Sequence, residues 1–244
     1  MNKANDDAGK AFERAAEIQT GKLNEPDDAA NTMVEAYKVY RKDRPLDAIR
    51  CLDVAIQRYA SKGALRRAAT HQQNKGDTYE IELRDEKSAL EAYEVAADWY
   101  ETDNAEALAN KLYLKVGELA ALVEDWPKAI EKFEKVAAAS VNNNLMKWSV
   151  KDYFLKAGLV HMVTTDMVAF NRAVEHYRDM DPTFASTREH QLLVDLGAAV
   201  EQGDEEIFAD KLFQYDQVSK LDKWKTTILL KIKGQIEAAG EDFS

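Results

Sequence analysis

One cysteine, four prolines and ten glycines in 244 residues remove several fold classes at once. Cys51 has no partner, so the chain has neither a disulfide framework nor a cysteine metal site, and a reducing, cytoplasmic setting is expected. With so few turn-forming residues a protein of many tight β-hairpins is disfavoured, whereas the abundance of Ala, Glu, Lys, Leu and Asp is that of helices. No apolar run approaches the roughly 18 residues that cross a bilayer, the segment 1–9 lacks the apolar region of a signal peptide, and no Asn-x-Ser/Thr acceptor occurs. Basic charge is also scarce. The 33 Lys and Arg stand against 44 Asp and Glu, a formal net charge of -11. This argues against general binding to nucleic acid or to an anionic membrane, because neutralising phosphates needs a basic surface.

The chemistry-bearing patterns are absent too. There is no phosphate-cradling glycine loop, no Gly-x-Ser-x-Gly, no His-Glu-x-x-His and no Cys-x-x-Cys. His71, His161, His176 and His190 are widely spaced, none with a second histidine at ligand spacing. No catalytic residue, metal or cofactor is expected, and acidic pairs such as Glu205-Glu206 read as a solvated helical face.

What the chain has is a repeat. Ala48-Ile49, Leu52 and Ala55 recur as Ala89-Leu90, Tyr93 and Ala96, and again as Ala129-Ile130, Phe133 and Val136, with steps of 41 and 40 residues. Ala8, Phe12 and Ala15 extend the register backward, and Ala169-Phe170, Ala173 and His176 extend it forward. Second helices are expected to begin near Pro26, Gly63, Asp103 and Asn144, with breaks at Arg44-Pro45, Asp85, Trp126-Pro127 and Thr165-Asp166; Pro45 and Pro127 suit the first helical turn, where a missing N–H costs nothing. Each unit then reads as a helical hairpin that completes its core only against its neighbours. The expected fold is all-α, a right-handed tetratricopeptide-like hairpin solenoid over 1–181 followed by a C-terminal helical bundle and acidic tail over 182–244.

Charge follows the repeat. Lys111 and Lys151 are 40 residues apart, while Lys75, Lys115 and Lys156 step by 40 and 41, so they take equivalent positions on successive second helices, and Lys111 and Lys115 share a helical face. Stacked hairpins would align them as a cationic stripe suited to an acidic, elongated partner. Chance coincidence on Lys-rich solvated faces explains the spacing equally well. From Glu189 to Asp216 the acids are Glu189, Asp195, Glu201, Asp204, Glu205, Glu206, Asp210 and Asp216 against a single base, Lys211.

The segments Lys147-Trp-Ser-Val-Lys151-Asp-Tyr-Phe-Leu-Lys156-Ala-Gly-Leu, Asp181-Pro-Thr-Phe-Ala-Ser-Thr-Arg188-Glu and Lys220-Leu-Asp-Lys-Trp224-Lys-Thr-Thr-Ile-Leu-Leu-Lys-Ile-Lys233 closely resemble the soluble NSF attachment proteins, and the acidic tail Glu241-Asp242-Phe243-Ser244 resembles their α-type branch. The resemblance implies a cytoplasmic adaptor, recruited peripherally to membranes, that coats the four-helix SNARE bundle and recruits the hexameric ATPase NSF to pull it apart. It implies SNARE contacts at Arg41, Lys42, Lys111, Lys115, Lys151 and Arg188, and NSF contacts at Glu201, Asp204, Glu205, Glu206, Asp242 and Phe243. Phe243 stands where the family carries leucine, Gly197 and Val200 where it carries acids, and Ala64 and Thr70 where it carries bases, with Arg66 and Arg67 nearby. The chain starts at the family's second hairpin, without the apolar loop that touches the bilayer, so weak or no direct membrane binding is expected. The remaining alternative is a γ-type member or a generic tetratricopeptide-like scaffold.

Overall fold

The computed structural model describes residues 3–241, with side chains through residue 239. The candidate residues Asp242 and Phe243 lie outside the described residues. Twelve α-helices make up the fold, with no strand among the described residues: α1 (Lys3–Gly21), α2 (Pro26–Tyr40), α3 (Pro45–Ser61), α4 (Leu65–Thr78), α5 (Glu86–Thr102), α6 (Glu106–Leu122), α7 (Trp126–Val141), α8 (Val150–Val163), α9 (Met167–Met180), α10 (Arg188–Gln202), α11 (Glu205–Asp216) and α12 (Lys223–Glu241). Successive helices pack as hairpins. The chain divides into two compact units, Met1–Val116 and Gly117–Ser244.

One turn is built repeatedly from the same local chemistry. Arg84, Glu124 and Thr165 adopt left-handed backbone (φ 54, 65 and 62°), and the next residue, Asp85, Asp125 or Asp166, caps the following helix by accepting from the backbone N–H of Ser88, Lys128 or Ala169. An aspartate there satisfies a donor that the helix itself leaves unpaired. The turn occurs once more beyond Pro182. Gly203 takes φ 66° and Asp204 accepts from Ile207 N at 2.9 Å. Pro26 and Pro45 each occupy a first helical turn, where their fixed φ fits the helix.

The small residues of the repeat allow close approach. Gly76 of α4 and Gly117 of α6 lie against the rings of Tyr93 and Phe133, and a Cβ there would sit 2.7 and 2.9 Å from a ring carbon. Replacing Gly117 by Ala is expected to force Phe133 aside and to cost about 1–3 kcal/mol. Gly234 on α12 has no atom within 4 Å of its missing Cβ. Gly234→Ala is expected to stabilise by about 0.5–1 kcal/mol through helix propensity alone. Urea midpoints of the two variants check both signs.

In the first unit, Ala36, Tyr37 and Tyr40 of α2 pack with Ala48, Cys51, Leu52 and Ile56 of α3, and Ala16 and Phe12 bring α1 onto the same cluster. Burial pushes the Cys51 thiol up to about 11, which keeps it protonated and inert. In the second unit Phe154 stacks on Tyr177 at 4.7 Å and meets Phe184 edge-on at 5.0 Å. The last register differs from the sequence expectation. Phe170, Ala173, Val174 and Tyr177 are buried and His176 is exposed, so the step from Ala129, Lys132, Phe133 and Val136 is 41 rather than 40 residues. Tyr177 supplies both a ring for Phe154 and a hydroxyl for Glu134, which His176 in that place would not.

The helix α12 is held along its length. The Trp224 indole N–H donates to Glu118 O at 3.0 Å and its ring meets Phe133 edge-on at 5.4 Å. Lys225, 8% exposed, lies 2.6 Å from Asp152 and 3.0 Å from Asp222. Burial opposes its charge, but the two carboxylates outweigh that effect and hold its pKa above the ordinary lysine value. Further along, Gln235 donates to Val163 O at 2.9 Å.

Candidate protein-interaction site

The connection from α7 to α8 is the exception among the hairpin turns. The sequence places a helix start near Asn144, but α8 begins at Val150 after a short 3-10 turn, Lys147–Ser149. Local bonding explains the delay: Asn143 accepts from Leu145 N through its side chain (3.0 Å) and from Met146 N and Lys147 N through its carbonyl (3.1 and 2.8 Å), which closes turns rather than a helix. Leu145 and Trp148 are thereby left 91% and 77% exposed, with the Lys147 ammonium 5.5 Å from the Trp148 ring centre. Motif reasoning did not single out Leu145 or Trp148 as exposed apolar side chains. The available signal was two large apolar residues inside an asparagine-rich helix break.

The basic candidates fall into two kinds. Lys42 and Lys111 are exposed, and Lys111 makes no ion pair among the described residues. Arg41 is half-buried, its Nε 3.2 Å from Glu82. Lys115 pairs with Glu80 and lies 6.0 Å from the Tyr93 ring centre. Lys75 and Lys156 likewise pair with Asp53 and Glu118, each at 2.6 Å, and Lys156 is 8% exposed. Periodicity therefore marks two populations of lysine: an inner series, Lys75, Lys115 and Lys156, that leans on neighbouring carboxylates, and the outward-facing Lys111 and Lys151. Lys151 is half exposed, 3.1 Å from Glu189. Arg188 is exposed at the start of α10, beside a small polar cleft that Lys211 and Tyr215 also line. Near the substituted basic positions, Arg66 pairs with Asp103 at 2.9 Å and Arg67 lies over the Tyr59 ring at 4.2 Å.

The acidic candidates are similarly divided. Glu206 is exposed, Glu201 accepts from Asn171 at 2.9 Å, Glu205 pairs with Lys233 at 2.8 Å, and Asp204 is the α11 cap. At Gly197 the structure admits no side chain without rearrangement, since a Cβ would lie 2.6 Å from Phe170 Cε1.

The half-buried Glu134 shows how this scaffold treats its internal charges. Burial alone would raise its pKa, but hydrogen bonds with His161 (3.2 Å) and Tyr177 (2.7 Å) outweigh it and hold the carboxyl below its ordinary value. A depressed carboxylate contributes stability above its unfolded pKa and loses it as pH falls through the folded value. Glu134→Gln is expected to cost about 1 kcal/mol at pH 7, and the gap from the parent should narrow as pH falls through and below the ordinary glutamate range. Urea titrations at pH 7, 5 and 3.5 check this.

Hairpins whose recurring chemistry is structural, together with an exposed apolar loop and outward lysines, fit a helical-repeat protein-interaction module. Comparison with known proteins specifies it. The family model described as soluble NSF attachment protein, SNAP, matches residues 1–237. The chain is 54% identical over 244 residues to the probable vesicular-fusion protein sec17 homolog of Neurospora crassa, covering 100% of this chain and 84% of that one. Its identity to the namesake protein of Schizosaccharomyces pombe is also 54% over 244 residues, with the same coverage. To the alpha-soluble NSF attachment protein of Homo sapiens it is 38% identical over 235 residues, covering 96% and 79%. The chain belongs to the soluble NSF attachment protein family. Among the described residues no helix is long and apolar enough to cross a membrane.

Proposed function

We propose that this chain is a non-enzymatic cytoplasmic adaptor that grips assembled four-helix SNARE bundles, is recruited to membranes through them, and brings NSF to take them apart in vesicle trafficking. The observation that carries the reading is the 142–149 connection. Leu145 and Trp148 are held out to solvent beside Lys147 and Lys151, a combination of apolar anchor and cation suited to the side of an acidic helical bundle. Lys111, Lys42, Arg41, Lys115 and Arg188 supply further positive charge, in the positions the family resemblance assigns to SNARE contact. Charge contacts of this kind orient a partner more than they discriminate among sequences, which fits a general adaptor. In the same reading Glu201, Asp204, Glu205, Glu206, Asp242 and Phe243 meet NSF, Asp204 also fixing the start of α11, and with it Glu205 and Glu206, as the helix cap.

The test is NSF-dependent disassembly of a soluble SNARE bundle, followed through fluorescence between bundle partners. Disassembly that requires this chain is the expected result. Failure to bind the bundle at all would replace the reading with a generic helical scaffold; binding without disassembly would locate the failure at the NSF-facing acids and Phe243.

A further inference from the structure

Among the carboxylates that accompany the lysine series, Glu189 differs in kind. Its side chain is 9% exposed, whereas those of Asp53, Glu80 and Glu118, the partners of Lys75, Lys115 and Lys156, are 49%, 26% and 31% exposed. Glu189 Oε1 lies 3.1 Å from Lys151 Nζ in an ion pair and accepts from the Tyr215 hydroxyl at 3.4 Å. Its other oxygen, Oε2, is buried and accepts no hydrogen bond among the described residues. Lys151, by contrast, keeps a side chain 48% exposed. The pair is thus lopsided: the cation faces water and the anion is fixed beneath it, joining α8, α10 and α11.

This asymmetry constrains what an acidic partner can do at Lys151. Asp53 or Glu118, if its lysine turned away, would be rehydrated in place. Glu189 would not, and would be left as a buried charge with only the Tyr215 hydroxyl beside it, an outcome that burial strongly disfavours. An ammonium carries three donors, so Lys151 can reach a partner oxygen while remaining on Glu189. We propose that Glu189 is a specificity-determining residue of the Lys151 contact: it orients the ammonium and retains a share of its charge, so that only a partner presenting dense negative charge completes the contact. The inference rests on the adaptor reading above, in which Lys151 meets the SNARE bundle.

Glu189→Gln keeps an acceptor for Lys151 and Tyr215 and removes the charge. Binding of a purified soluble SNARE bundle at about 0.15 M salt is expected to tighten about threefold, because the share of the Lys151 charge that Glu189 retains becomes available to the partner as a repelling carboxylate is lost. In a Lys151→Gln background, which has no ammonium to release, the same substitution is expected to tighten binding by distinctly less. A structural role alone would shift the melting temperature and would not produce this dependence of affinity on Lys151. Unchanged or weakened binding by folded E189Q, or equal tightening in both backgrounds, overturns the proposal. If E189Q does not fold, Tyr215→Phe serves instead: it leaves Lys151 as the remaining polar partner of Glu189, so bundle binding should weaken about twofold, and unchanged or tighter binding overturns the proposal. Lys151→Gln on its own separates the two readings. If it leaves bundle affinity intact, the adaptor reading of Lys151 fails; if it weakens affinity while E189Q has no effect, only the role of Glu189 fails.

Discussion

Replacing Lys111 with Glu and Lys151 with Gln together is expected to weaken binding of a soluble SNARE bundle about thirtyfold at physiological salt. The two substitutions remove three units of positive charge. A contacting unit charge is worth about 1 kcal/mol in water and somewhat less after screening, which sums to about 2 kcal/mol. Glutamine rather than glutamate is chosen at 151 because a second carboxylate beside the buried Glu189 would repel it and unsettle α10, confusing loss of binding with loss of fold. Lys111 is exposed and tolerates full reversal. The difference from the parent should shrink severalfold at 0.5 M salt, where the screening length falls well below its physiological value. Titration at two salt concentrations with unchanged helical circular dichroism checks the prediction. Binding insensitive to both substitutions would remove the outward lysines from the site and leave Leu145 and Trp148 to carry it.

Phe154→Ala is expected to lower the stability of the second unit by about 3–5 kcal/mol. Phe154 is fully buried, stacked on Tyr177 at 4.7 Å with an interplanar angle of 11° and edge-on to Phe184 at 5.0 Å. Its removal leaves a cavity lined by two rigid rings that cannot close it, and Tyr177 is further held by its hydroxyl bond to Glu134 at 2.7 Å. Phe154→Leu, which refills most of the volume, is expected to cost about 1–2 kcal/mol. Urea midpoints of the two variants against the parent measure both effects; a loss under about 1.5 kcal/mol for F154A would mean that α8, α9 and the 3-10 turn at Pro182–Ser186 repack more freely than their ring geometry implies.

Much of the architecture was legible because it rests on local chemistry. Aspartates at 85, 125 and 166 cap helices wherever a short turn precedes them, and alanines with aromatics at helical spacing bury one face of each hairpin. These signals occupy a few consecutive residues, so they survive in one dimension. The step into α9 was misjudged by one residue because Ala173 and His176 preserve the 40-residue spacing, whereas burial of Tyr177 depends on partners in α7 and α8 that no spacing reveals.

The site divided along the same line. That lysines recur at 75, 111, 115, 151 and 156 was determined by the sequence alone, as were the all-helical class, the hairpin repeat and the resemblance that names the family. Which lysines turn inward was decided only by tertiary structure, since a lysine's environment depends on carboxylates supplied by neighbouring helices: Asp53, Glu80 and Glu118 draw in Lys75, Lys115 and Lys156, while Lys111 meets none among the described residues. The exposure of Leu145 and Trp148 and the burial of Glu189 beneath Lys151 belong to the same category. Helix formation is governed by residues three and four apart, which a sequence displays directly; solvation of a charge or an indole is governed by whatever the fold brings against it.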